Sequence, residues 1–205
     1  MVTRKGAGAY RRKWRRKGYG FSFKKAISRY HYTKLTYNNR ISLTGTAIKF
    51  VTGGNNTLAM YTMLEACPDW AMYKKLFLSY KVCGVAIVAS PAPAIEEVIT
   101  STTQTGTFPV GQVFFNSVPV IGLMAQGEGS DYKDICESNK HLLLNYVNTA
   151  RTFWRLDGGI TGWDGTQAAN DQKANLSVNV DSLPTYGAKF WSLLVDFYVM
   201  FKITV

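Results

Sequence analysis

The chain has 205 residues, of which 46% are hydrophobic and 18% charged, and its formal net charge is +11. This composition supplies one folded domain with a core of its own. The longest apolar stretch, Val82–Ile95, is interrupted by two prolines and is too short to span a membrane, so we expect no membrane insertion. The N-terminus has no apolar segment, which predicts that a secretory signal is absent.

Positive charge is concentrated at one end of the chain. The first acidic residue is Glu65, and 14 of the 24 lysines and arginines precede it. From Glu65 onward the other 10 cations stand against 13 acids, which gives −3. Because blocks of like charge repel one another and stay extended, we interpret residues 1–40 as a disordered basic arm, separate from a folded domain at 41–205. Such an arm is typical of a protein that binds nucleic acid.

Aromatic residues are interspersed among the cations of this arm, and its glycines disfavour a stable helix. Cations neutralise phosphates and aromatic rings stack on unpaired bases, so the mixture favours single strands. For Tyr30, Tyr32 and Tyr37, base stacking and packing on the domain are equal alternatives. The predicted nucleic-acid-binding residues are Arg4, Lys5, Arg11, Arg12, Lys13, Trp14, Arg15, Arg16, Lys17, Lys24, Lys25 and Arg29. Two clusters among them also fit a nuclear-import signal: Arg11, Arg12, Lys13, Arg15, Arg16, Lys17, Lys24 and Lys25.

The rest of the chain mainly has the period-two pattern of β-strands. The clearest case is the last segment, in which Val195, Phe197, Val199, Phe201 and Ile203 alternate with more polar residues. A change of phase near Ala47 indicates a bulge or bend. Further strand candidates are Tyr80–Ala89, Val110–Phe115, Pro119–Met124, Thr149–Leu156 and Leu176–Val180.

One helix is predicted after Pro68, with Asp69 at its start and Lys74 and Lys75 near its end. Many short strands with little helix favour an all-β fold, a single jelly roll built as an eight-stranded antiparallel sandwich. Large side chains remain on the second face of two of these strands: Tyr80, Val88, Tyr198 and Met200. We expect them to lie against neighbouring subunits, because a soluble monomer rarely exposes such patches.

The sequence does not suggest an enzyme, and we expect no cofactor. Of the two histidines, His31 lies near the arm and His141 is expected at a strand edge. Asp131, Asp134 and Glu137 have a spacing that suits a hard cation, but a solvated acidic loop gives that spacing far more often, so we predict no metal site. The three cysteines are odd in number and lack C-x-x-C spacing, which predicts free thiols in a reducing compartment.

Three parts of the chain resemble the capsid proteins of circovirus-like viruses, the Rep-encoding circular single-stranded DNA group. The first is the basic, aromatic arm. The second is Leu76–Pro91, LFLSYKVCGVAIVASP, which is similar to a family segment with a valine-rich strand ended by proline. The third is Phe197–Lys202, FYVMFK, which is similar to the closing strand of the family. The arm departs from the family in having more lysine and more aromatic residues.

The resemblance implies a sixty-subunit icosahedral shell around a circular single-stranded DNA genome, with the arms pointing inward. It also implies a virion location, passage through the host nucleus, a host import receptor and a cell-surface receptor. Loops 91–109, 125–140 and 157–175 are expected to face outward. Two alternatives remain open: the coat protein of a satellite-like single-stranded RNA virus, and a cellular nucleic-acid-binding module.

Overall fold

The computed structural model describes residues 30–92, 117–125, 127–156, 163–166, 174–184 and 188–203. These residues form three short helices: α1 (Met60–Glu65), α2 (Trp70–Leu76) and α3 (Tyr132–Glu137). They also form ten strands: β1 (Tyr30–Leu43), β2 (Ile48–Phe50), β3 (Thr57–Ala59), β4 (Ser79–Pro91), β5 (Val120–Ala125), β6 (His141–Leu143), β7 (Ala150–Arg155), β8 (Asp164–Gly165), β9 (Ala174–Asn179) and β10 (Lys189–Lys202).

The strands form two antiparallel sheets. Sheet A has the order β2-β1-β10-β4-β7, with β8 also paired to β4, and sheet B has the order β3-β9-β5-β6. Strands β1 and β10, the first and last among the described residues, lie side by side, and β4 and β7 continue the same sheet beyond them. Strands that are far apart in sequence are therefore neighbours in space, as in a jelly roll. The predicted all-β jelly roll is confirmed.

The core lies between the two sheets, and the last strand contributes most visibly to it. Val195, Phe197, Val199 and Phe201 are at most 1% exposed, as their alternation with more polar residues predicted. Sheet B contributes residues such as Leu123 and Leu176 to the same core. Full burial of each large apolar side chain stabilises the fold by about 1.5–3 kcal/mol, which explains why these strands are rich in β-branched and aromatic residues.

An aromatic cluster closes one end of the sandwich. The rings of Tyr73 and Phe77, from α2 and its end, stack on Phe201 at 4.9 and 5.0 Å. The imidazole of His31 stacks on both of these rings at 5.6 Å, so His31 belongs to the folded domain and not to an arm. Helix α2 begins at Trp70, directly after Asp69, which confirms the predicted helix.

The predicted boundary between arm and domain at residue 40 lies too late in the chain. Strand β1 begins at Tyr30, which is paired with Lys202, and it continues in register to Leu43. Residues 30–40 are therefore part of sheet A. The side chain of Tyr37 is only 6% exposed, so packing on the domain was the correct alternative for this ring, whereas Tyr32 is 66% exposed.

The predicted position of Tyr80 on the outer face is wrong, because β4 contains a bulge. Val199 pairs with Val82 but Tyr198 pairs with Gly84, so Cys83 is an extra residue in the strand. The bulge reverses the alternation of side chains, and Tyr80 points into the core at 3% exposure while Val88 stays on the outer face. Tyr198 and Met200 do lie on that outer face, as predicted.

Three segments differ from what the sequence predicted. The phase change near Ala47 is a hairpin turn between β1 and β2. The stretch 125–140 contains α3, and α1 is a second helix that the sequence did not predict. The strand candidate Val110–Phe115 lies outside the described residues, as do residues 93–109 and most of 157–175.

Candidate functional site

All twelve predicted nucleic-acid-binding residues, and with them the predicted import clusters, lie in residues 1–29, outside the described part of the chain. The structure does give the point at which this basic segment joins the fold. Tyr30 is the first residue of β1, and its ring stacks on Trp163 with 5.6 Å between the ring centroids. The segment therefore leads directly into sheet A, in the strand that pairs with the last strand of the chain.

The outer face of sheet A can be followed across four strands from the pairing register. Residues directly opposite one another in a sheet point to the same face. One row runs across the sheet through three pairs. Lys34 of β1 pairs with Tyr198 of β10, Tyr198 pairs with Gly84 of β4, and Gly84 pairs with Arg155 of β7. The neighbouring rows on either side of this row hold the other outward side chains of the same four strands.

Two aromatic rings lie exposed in the middle of this face. The ring of Phe153 meets the ring of Tyr198 edge to face at 5.5 Å, and the two residues are 57% and 42% exposed. Gly84 makes this arrangement possible, because a Cβ atom at that position would lie 2.7 Å from Cζ of Phe153. The missing side chain lets the Phe153 ring lie directly over the β4 backbone.

Positive charge surrounds these rings. The outward positions of β1, β4, β7 and β10 hold six cations and, among the described residues of these strands, one acid, Asp196. The cations are Lys34, Arg40, Lys81, Arg151, Arg155 and Lys202. Lys34 contacts the Asp196 carboxylate at 3.2 Å, and Thr36 donates a hydrogen bond of 2.6 Å to the same carboxylate. We call the surface formed by these six cations together with Tyr32, Phe153 and Tyr198 the basic face.

The outer face of sheet B is different, because α3 covers it. Ile135 of α3 is fully buried against Val120 and Met124 of β5. Gly122 permits this approach, since a Cβ atom there would lie 2.6 Å from Cγ2 of Ile135. Around the helix four carboxylates accompany two lysines: Glu128, Asp131, Asp134 and Glu137, with Lys133 and Lys140. The two outer faces of the sandwich thus differ in sign of charge and in cover.

A hydrogen-bonded group of titratable side chains lies between α1 and α2. Lys74 bonds both the Tyr61 hydroxyl and the Glu65 carboxylate at 3.3 Å, and the first of these contacts is the main cause of the raised pKa of Lys74. Burial raises the pKa of Tyr61, so both groups stay protonated at neutral pH. Within the described ranges no group of His, Cys, Asp and Glu residues could hold a metal ion, and no helix is long and apolar enough to cross a membrane.

A shallow cavity of about 310 Å³ opens on the basic face. It is lined by Tyr32, Thr33, Lys34, Cys83, Tyr198 and Val199. The three cysteines are free thiols, as predicted, and Cys83, the bulge residue, is one of those that line this cavity. The cavity therefore combines aromatic, cationic and apolar groups on one open surface.

Sequence reasoning missed the basic face because it summed the charge of the chain from Glu65 onward to −3 and assigned Lys34 and Arg40 to the arm. A signal was present in the strand candidate Thr149–Leu156. There Arg151, Phe153 and Arg155 alternate with other residues, which puts two cations and a ring on one side of a strand. The contributions of β1, β4 and β10 could not be added without the strand order and the bulge at Cys83.

No family model and no curated protein matches the chain. Among solved structures, it is similar to a chain of Cocksfoot mottle virus, with a TM-score of 0.55 and 12% identity over 86% of this chain and 96% of that one. It is also similar to a chain of the virus-like particle of the nodavirus of the giant freshwater prawn Macrobrachium rosenbergii, with a TM-score of 0.50 and 11% identity over 86% and 95% of the chains. The BFDV capsid protein gives a TM-score of 0.46 and 13% identity over 85% and 99% of the chains, a likeness too weak to assign a virus group. At these identities the first two likenesses show the fold, a jelly roll that the chain has in common with these viral proteins.

Proposed function

We propose that this protein is a viral coat protein that assembles into a small icosahedral shell and packages single-stranded nucleic acid. The observation that carries the proposal is a jelly roll whose first strand is the direct continuation of a strongly basic segment. The fold supplies a compact building block, and residues 1–29 supply the charge.

Packaging follows from electrostatics. The lysines and arginines of residues 1–29 neutralise phosphates and release counterions, which makes binding strongly dependent on salt. The chain from Glu65 onward is close to neutral, so subunits can pack closely without strong mutual repulsion. A sixty-subunit shell needs only one subunit conformation, because each copy occupies an equivalent position.

Circular single-stranded DNA is the preferred cargo, on the strength of the resemblance at Leu76–Pro91 and Phe197–Lys202. Single-stranded RNA is the second candidate, because the same fold occurs in chains of Cocksfoot mottle virus and of a nodavirus. A DNA cargo agrees with the basic clusters at 11–17 and 24–25, which would direct the protein to the host nucleus through an import receptor. Outside the cell the protein belongs to the virion, where its outward loops meet a cell-surface receptor.

Electron microscopy of the full chain, purified with and without added oligonucleotide, tests the proposal. We expect uniform closed particles whose assembly is promoted by single-stranded nucleic acid. Extracted particles should yield nucleic acid protected from nuclease, and its sensitivity to DNase or RNase identifies the cargo. A monodisperse monomer at micromolar concentration, with nucleic acid supplied, would contradict the coat-protein function.

A further inference from the structure

We propose that the basic face is a second binding surface for single-stranded nucleic acid, on which Tyr198, Phe153 and Tyr32 stack on bases while the surrounding cations contact phosphates. The inference rests on the proposed function, since it concerns the same cargo. It assigns to the folded domain a part of the binding that the sequence attributed only to the N-terminal segment.

Charge is the first argument. The outward positions of four adjacent strands carry six cations against the single carboxylate of Asp196, which is already engaged by Lys34 and Thr36. Among the described residues, the Lys34–Asp196 contact is the one ion pair on this face. Arg151 and Arg155 are exposed and point outward from the same strand. Such a surface is complementary to a phosphate backbone.

The exposed rings are the second argument. A face that bound only phosphates would need no aromatic groups, yet Tyr32, Phe153 and Tyr198 are 66%, 57% and 42% exposed. Exposed rings on a β-sheet, with cations on both sides, are the arrangement by which proteins hold unpaired bases. Stacking on a ring needs no particular base, so the face suits a genome of any sequence.

The position of the face supports the same ligand. The basic segment enters the fold at Tyr30, and the outward side chains that follow it along β1 are Tyr32 and Lys34. A strand bound by residues 1–29 is therefore delivered to the edge of the basic face. In sequence, the cations of residues 1–29 therefore come directly before the outward residues of β1.

A contact with another subunit is the main rival for this face, because the carboxylates around α3 have the opposite charge. The basic face and the α3 side are, however, the two outer faces of one sandwich. A contact between opposite faces of identical subunits is heterologous, so it closes into a ring only where the rotation between copies permits it and otherwise extends into an open filament. Lysine is also depleted from protein interfaces, and three of the six cations on this face are lysines.

The first measurement compares two triple variants of the full chain that lose the same charge. The face variant is Lys81→Ala, Arg151→Ala, Arg155→Ala, and the control is Lys75→Ala, Lys133→Ala, Lys140→Ala, whose lysines lie on α2 and around α3. Affinity for a fluorescent oligothymidylate is measured against salt. Each lost phosphate contact makes the slope of log affinity against log salt less steep by about 0.7. The slope of the face variant should therefore be less steep than that of the unchanged protein by about 2, and the slope of the control should be nearly unchanged.

The second measurement concerns the rings. Tyr198→Ala should weaken binding about five-fold or more, because a stacked base is lost, while its salt slope stays as in the unchanged protein. Tyr198→Phe keeps the ring and should bind as the unchanged protein does. Thermal unfolding of each variant verifies that the sheet is intact. If Tyr198→Ala and Tyr198→Phe bind the oligothymidylate with equal affinity, the result counts against stacking.

The outcomes separate this inference from the proposed function. If the face variant keeps the slope of the control, the inference is overturned, whereas replacement of Arg11, Arg12, Lys13, Arg15, Arg16 and Lys17 by Ala still tests the basic segment. If the face variant loses particle formation with an unchanged slope, the face is a subunit contact and the inference is again overturned. If neither the face nor the segment changes binding, the proposed packaging function itself fails.

Discussion

At the scale of single residues, Phe201 is the side chain on which one end of the fold depends. It is fully buried, and the rings of Trp70, Tyr73, Phe77 and Tyr80 surround it at centroid distances from 4.9 to 6.5 Å. We expect Phe201→Ala to lower the free energy of unfolding by about 3–5 kcal/mol, because the change leaves a cavity among rings that cannot all move inward. Urea denaturation measures this loss. Tyr32→Ala, on the exposed side of the same sheet, is the control and should change stability by about 0.5 kcal/mol or less.

The buried thiol of Cys67 makes the free energy of unfolding depend on pH in the alkaline range. Burial, with added repulsion from the carboxylates of Asp69 and Asp196, raises the pKa of Cys67 to about 12. The folded protein thus holds this proton more tightly than the unfolded chain does. The resulting stabilisation is complete below about pH 9 and is lost as pH rises towards 12. Stability curves across this range should fall less steeply for Cys67→Ala than for the unchanged protein, and parallel curves would contradict the assignment.

At the scale of elements, the length of β1 determines where the chain can be shortened. A protein starting at Tyr30 keeps every pair between β1 and β10, whereas one starting at Arg40 loses most of the strand next to β10. We expect the first to fold with greatly reduced affinity for oligothymidylate and a shallower salt slope. The second should be unfolded or aggregated, because the backbone and core face of β10 become exposed. Circular dichroism and binding assays on both proteins give the comparison, and equal folding of the two would refute the structural role of β1.

The basic clusters of residues 1–29 lead to a prediction about location. Residues 1–25 fused to a fluorescent reporter should accumulate in the nucleus, because the clusters at 11–17 and 24–25 match the short basic blocks that import receptors bind. The same fusion with the six cations of the first cluster changed to Ala should stay dispersed. A cytoplasmic distribution of the unchanged fusion would favour an RNA cargo over DNA.

The elements that were predictable from the sequence are those with a clear local pattern. The Pro68-Asp69 start gave the beginning of α2, and the alternation from Val195 gave the second half of β10, which begins at Lys189. Helices α1 and α3 have six residues each, too few for a periodic pattern to stand out. The orientation of Tyr80 depended on the bulge at Cys83, and no residue type signals a bulge without its partner strand.

At the scale of the whole molecule, the main discrepancy lies in the distribution of charge. A sum over the sequence correctly finds the excess at the N-terminus but treats the remainder as a uniform, nearly neutral body. In the structure six of the cations of β1, β4, β7 and β10 gather on one outer face, and four of the acids gather around α3 on the other. Strand order produces this separation, because it brings together residues as far apart as Lys34 and Arg155.

The separation of charge gives each subunit an electric dipole directed from the α3 side to the basic face. In a closed shell all copies have the same radial orientation, so their dipoles do not cancel locally and form a charged double layer, like the plates of a spherical capacitor. With the basic faces inward, the inner surface of the shell carries positive charge and the outer surface carries negative charge. Filled particles would then repel one another in suspension while each retains its polyanion, and both effects would weaken together as added salt shortens the screening length.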